Sequence, residues 1–171
     1  MYRPFKNATS NKISTPFTLV HPAVDWFDKY GTPLVAPEDC VVMGITGEEF
    51  TPDNYEPLRR GYGIKLRGNY DWLFWHCQPI FAVRVGEEVK AGQIIGYMGN
   101  SGNVLAGGKY VPVEERANEP HSGTHLHLEC WNGIVRIDPV PLMTEEPNYT
   151  YFEAIKAISI TIGKLLNLLK I

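Results

Sequence analysis

Five histidines are spread over the chain: His21, His76, His121, His125 and His127. His125 and His127 lie two apart in THLHLECW, Thr124 to Trp131, a run that reads as a β-strand. In an extended chain side chains two apart leave the same face, so both imidazoles and Glu129 point one way. His21 and Asp25, four apart, share a face by the same rule. Imidazole nitrogen and carboxylate oxygen are the usual ligands of zinc, and two His plus one carboxylate leave the fourth tetrahedral position to water. That open arrangement is the one catalytic zinc sites use. Singly, an HxH pair or a His–Asp pair is more often structural than functional. Together they carry weight, because three of the five histidines fall into these two pairs.

Those side chains need a rigid frame, and the sequence supplies a β-rich one. The 16 glycines and 13 prolines imply many turns and short strands instead of a helical bundle. Residues 1–17 are polar and turn-rich and read as an arm laid over the domain. From Thr18 to Ile45 short apolar stretches are broken by Pro22, Gly31, Pro33 and Pro37, and proline can neither continue a helix nor donate to a strand ladder. Gly63–Arg67, Trp72–His76 and Phe81–Val85 are strand candidates, and Val83 to Asn103 alternates β-branched residues with glycine turns, as in a hairpin or two. Residues 104–120 form a long loop, of the length that is usually functional or flexible.

Composition narrows the function. With 16 Lys+Arg against 19 Asp+Glu the net charge is -3, so no basic stripe is available and no nucleic-acid partner is expected. Cys40, Cys77 and Cys130 are too few and too scattered for a disulfide scaffold, and free thiols are expected. The first residues lack the apolar run of a signal peptide, and no stretch is long and apolar enough for a transmembrane helix. The product is therefore expected to be made in the cytoplasm. From Tyr149 onward the pattern changes. Tyr151, Ile155, Ile158, Ile162, Leu165 and Leu169 follow helical spacing, which predicts a C-terminal hydrophobic helix over 149–171 behind a domain at 18–148. Packing on its own domain, self-association, docking to a virion and contact with a membrane surface are all open to residues 150–171.

Six ordered blocks between residues 15 and 139 resemble the lysostaphin-type (LytM-like) zinc endopeptidases of bacterial peptidoglycan. They are HPAVD (His21–Asp25), GTPLVAP (Gly31–Pro37), GYGIKL (Gly61–Leu66), FWHC with His76, VRVGEEVKAGQIIGYMGNSG, and HLHLE (His125–Glu129). The resemblance implies a compact, mainly β, antiparallel sandwich of the barrel-sandwich (duplicated hybrid motif-like) kind, with the metal at the floor of a groove. It implies one Zn2+ per chain held by His21, Asp25 and His127, and a catalytic pair of unligated imidazoles, His76 and His125. Which of that pair is the general base and which faces the oxyanion is left open. Glu129 either orients a ligand or is an ordinary strand carboxylate, and His121 reads as a cleft-lining loop residue. The substrate implied is a peptidoglycan peptide, cross-bridge or stem. A bacteriophage lysin released by a holin, or a virion-associated wall enzyme, fits these expectations. The competing reading is a non-catalytic wall-binding or assembly module using the same groove. The 104–120 loop is longer than the turn that commonly precedes HLH in the family and would overhang the cleft.

Overall fold

The computed structural model describes residues 1–46, 60–116 and 118–147. The helix expected over 149–171 lies outside the described residues. Within them the chain is mainly β and antiparallel, in twelve strands: β1 Ile13–Thr15, β2 Val24–Trp26, β3 Pro33–Val35, β4 Cys40–Thr46, β5 Tyr62–Arg67, β6 Asp71–Phe81, β7 Glu88–Val89, β8 Ile94–Met98, β9 Leu105–Ala106, β10 Lys109–Tyr110, β11 Leu126–Asn132 and β12 Val135–Ile137. A single helical turn, α1 Val113–Arg116, and 3-10 turns at Ser10–Lys12 and Val140–Leu142 complete the described elements. Ten strands form one sheet with the path β1-β2-β11-β6-β5-β4-β7; β12 joins β11, and the β3–β8 pair joins β6 through β8. The hairpin β9–β10 stands apart.

β6 organises the molecule. Its first half, Asp71 to Trp75, pairs with both β5 and β11. Its second half pairs with β8, Cys77 opposite Met98 and Phe81 opposite Gly96. Strand alternation then gives one shared core: Trp72, Phe74, Leu66, Leu126 and Leu128 from the central strands, with Leu34, Ala36, Ile95 and Met98 from the β3–β8 pair. Burying such side chains contributes roughly 1.5–3 kcal/mol each, so this cluster dominates the fold's stability. The Trp72 indole also needs a partner in there, and its Nε1 donates to Glu38 Oε1 at 2.8 Å. Glu38 further accepts from the Tyr70 amide and the Asn69 side chain, which compensates a nearly buried carboxylate.

Several expectations change. Phe81–Val85 is not a strand. β6 runs on through Pro79 to Phe81, where it sits opposite Gly96, and the chain then turns at Gly86, whose φ of 84° and bond to the Val42 carbonyl fix the reversal. Val83–Asn103 is not a hairpin on itself either. β7 pairs with β4 and β8 with β3 and β6, because the Gly92 turn donates to Ala36 and splits the two strands between neighbours. The N-terminal segment does more than overlie the domain: Phe5 and Ala8 belong to the core, and β1 extends the sheet beside β2. The described residues of the 104–120 loop include the short strands β9 and β10 and the helical turn α1.

Candidate metal centre and catalytic pair

Register across the sheet puts the first set together. His127 on β11 lies opposite Asp25 on β2 and opposite Trp75 on β6, so one row of the pleated face carries Asp25, His127 and Trp75. His127 Nδ1 is 2.8 Å from Asp25 Oδ1. His21 arrives differently from the expectation. Pro22 cannot donate to a ladder, and His21 sits in a turn where its carbonyl accepts from Thr18 N and its amide donates to Thr18 Oγ1. That turn still brings His21 Nε2 within 3.3 Å of Asp25 Oδ2. One ligand atom from each of His21, Asp25 and His127 lies within 4.8 Å of the others. Two half-buried imidazoles and a carboxylate converging at that spacing suit a zinc ion, whose bonds to such atoms run about 2.0–2.2 Å.

His76 reaches the same place through a defect in β6. Regular alternation would turn it away from the face that carries Trp75. Instead the β5–β6 register shifts between Tyr62 and Ile64, and His76 adopts φ 59°, the left-handed region that few residues other than glycine enter. Its amide donates to the Arg60 carbonyl, and its ring comes to 4.5 Å from that of His125 and 6.0 Å from that of His127, centre to centre. The bulge needs close backbone approach, which the glycines provide. A Cβ on Gly61 would lie 2.4 Å from Gly102 N, and one on Gly99 2.7 Å from Gln78 N.

The two imidazoles of this pair are held alike. His76 Nδ1 is 2.8 Å from the Ser101 carbonyl and His125 Nδ1 is 2.8 Å from the Gly123 carbonyl. A carbonyl oxygen only accepts, so Nδ1 carries the proton in both rings and Nε2 keeps a free lone pair. Burial, reinforced by the neighbouring His125, pushes the His76 imidazole well below its usual range. Burial likewise depresses His125, against the opposing pull of the Gly123 bond and Asp25. Both rings are therefore neutral at physiological pH. At Asp25, burial favours the acid, but the His127 bond and the surrounding imidazoles outweigh it and hold the carboxyl low. His127 is the mirror case, with burial opposed and overcome by Asp25 and Glu129.

Asp25, His76, His125 and His127 line one cavity of about 510 Å³, whose other walls include Phe27, Leu105 and His121. The expected loop residue His121 and the overhanging segment thus both reach the cleft. Glu129 is 1% exposed, ion-paired to Arg60 and to Arg136 Nε at 2.9 Å, and accepts from Trp131 Nε1. Its Oε1 is 3.7 Å from His127 Nε2. Ser101, Arg60 and Arg136 escaped the sequence reading. Ser101 sits inside the GNSG block, but its part is played by a backbone carbonyl, and the arginines are brought in only by the fold.

The profile of Peptidase family M23 matches residues 19–139. The chain belongs to this family. An M23 domain is a peptidase, and the match takes in β2 to β12 and all five histidines, leaving out the core residues Phe5, Ala8 and Met143. Among solved structures, LytU is 25% identical, with 77% of this chain and 83% of that one covered and a TM-score of 0.55. The antimicrobial peptidase lysostaphin from Staphylococcus simulans is 26% identical over 77% of this chain at a TM-score of 0.54. The aligned region is 48% of the lysostaphin chain, so this chain spans about half of that relative's length. A zinc-containing peptidase from Vibrio cholerae shares the fold at 18% identity, with 80% of this chain and 38% of that one covered and a TM-score of 0.57. Curated protein sequences give no match.

Proposed function

We propose that this M23 domain is a zinc-dependent endopeptidase that hydrolyses peptide bonds in bacterial peptidoglycan, with His21, Asp25 and His127 as metal ligands and His76 and His125 as the catalytic pair. One observation carries the reading: beside the converging ligand atoms stand two neutral imidazoles, each with Nδ1 tied to a carbonyl and Nε2 left to the shared cavity. Likeness to lysostaphin and LytU supports peptidoglycan as the substrate.

A zinc ion held by His21, Asp25 and His127 would supply a Lewis acid, lowering the pKa of a bound water towards about 7 and polarising a peptide carbonyl. The chain's own residues do the rest. Asp25 stays ionised and offsets the metal's charge, and Glu129 faces the remaining nitrogen of His127, orienting that ring. The Nδ1–H tautomer makes His76 and His125 acceptors at Nε2, so either ring can take a proton from water. The ring that does so becomes an Nε2–H donor, able to stabilise the carbonyl oxygen as charge develops on it and then to protonate the leaving amine. Phe27 and Leu105 give the cleft apolar walls beside this pair, against which a substrate strand would pack.

The test is hydrolysis of purified peptidoglycan with analysis of the products. New amino and carboxyl termini in the peptides, without new reducing sugar ends, are expected. Wall binding without any new terminus would instead identify a non-catalytic binding module.

A further inference from the structure

The segment between Gly102 and His125 carries a buried arginine that this chemistry does not use. Arg116, at the end of α1, is 7% exposed, and a buried guanidinium must find acceptors inside the protein. Its Nη1 donates to the Asn100 carbonyl at 2.7 Å and its Nη2 to the Gly102 carbonyl at 2.7 Å. Nε and Nη2 both reach the Val111 carbonyl, at 3.1 and 2.7 Å. The guanidinium thus grips the two carbonyls that flank Ser101.

Ser101 is the residue whose carbonyl accepts from His76 Nδ1. Its hydroxyl donates to the Cys77 carbonyl at 2.7 Å and accepts from Tyr62 N at 2.9 Å, across the His76 bulge. From the other side Asn100 Nδ2 donates to the carbonyls of Pro120 and Ser122. The inserted segment therefore fixes the turn that fixes His76. An arginine suits the task, because its planar fork serves separate carbonyls at set angles, whereas lysine offers one mobile charge. The consequence lies in the proton's position. With the Ser101 carbonyl in place the ring carries its proton at Nδ1; with the carbonyl displaced nothing excludes the Nε2–H form, which has no lone pair facing the cleft.

We propose that Arg116 is a positioning residue for His76: by holding the Asn100 and Gly102 carbonyls it sets the Ser101 carbonyl, which keeps His76 in the Nδ1–H tautomer. Its effect on turnover rests on the endopeptidase reading, whereas its effect on the tautomer does not. The experiment compares zinc-loaded wild type, Arg116→Lys and Arg116→Met, reading the 15N shifts of the His76 ring alongside kcat and KM on peptidoglycan fragments. Wild type shows the Nδ1–H form alone. Arg116→Met populates both tautomers, keeps its zinc and loses about 10- to 100-fold in kcat, the usual scale of a supporting contact, with KM changed far less. Arg116→Lys falls between the two and carries the comparison if Arg116→Met does not fold. A pure Nδ1–H signal in either folded variant overturns the proposal, as does a mixed signal with unchanged kcat in an active enzyme. A tautomer change in a protein without peptidase activity upholds the Arg116 assignment and removes the endopeptidase reading alone.

Discussion

At the scale of the residue, the two imidazole pairs are distinguished by what their nitrogens touch. His21 and His127 turn ring nitrogens toward the Asp25 carboxylate, whereas His76 and His125 turn theirs toward backbone carbonyls. Replacing His76 or His125 by Ala is expected to leave zinc bound and to cut turnover by about 10² or more, measured as kcat on peptidoglycan fragments. Burial also gives His76 a pH signature. Its pKa is depressed in the folded chain and near 6.5 in the unfolded one, so below 6.5 the unfolded state binds more protons. The stability it contributes is full above pH 6.5 and is lost as pH falls towards the depressed value. In metal-free protein, urea unfolding at descending pH is expected to show His76→Gln losing less stability than wild type; equal losses would contradict the assigned burial. The cysteines make a third case. All three are free and buried, and burial pushes each thiol up to about 12, so the folded protein is expected to react with thiol reagents at pH 8 only as fast as it unfolds. The ligand-type side chains were legible in the sequence because their chemistry is their identity. The Ser101 carbonyl and the Arg116 fork were not, since a backbone acceptor has no residue signature.

At the scale of the element, the sequence revealed strands by alternation but not by partner. β11 and the start of β6 stood out because their alternation is clean. β7 and β8 suggested a hairpin, because glycine turns mark reversals without saying which neighbour each strand pairs with. The His76 bulge was hidden for a related reason: it depends on Gly63 and Gly61 across the strand, not on the residues beside it. A comparison of glycines tests this. Gly61 and Gly86 both have positive φ, 64° and 84°, but only Gly61 has backbone where a Cβ would go. Gly61→Ala is expected to cost more than Gly86→Ala, which suffers about 1–3 kcal/mol of backbone strain alone, and to lower turnover as the bulge shifts. Equal unfolding free energies for the two variants would show that the close approach contributes nothing.

At the scale of the whole molecule, one core holds the sheet, the β3–β8 pair and the N-terminal segment together. Composition and the six ordered blocks were enough to indicate a mainly β, antiparallel domain. They did not show that residues before the first block belong to the core, because Phe5 stands among polar and turn residues where no period can be read. Phe5 is fully buried and packs edge-on against Trp26 of β2. Phe5→Ala is expected to cost about 3–5 kcal/mol in urea unfolding, against a few tenths for Leu19→Ala at an exposed turn. Fold and chemistry meet at one ion, so the decisive measurement is the zinc content of purified protein, read with peptidoglycan hydrolysis for wild type, His21→Ala, Asp25→Ala and His127→Ala. One zinc per wild-type chain is expected, removed by chelator together with activity and restored with it, and both are lost in each variant. Stoichiometric zinc retained in all three variants, or hydrolysis undiminished in the chelated protein, would contradict the zinc assignment.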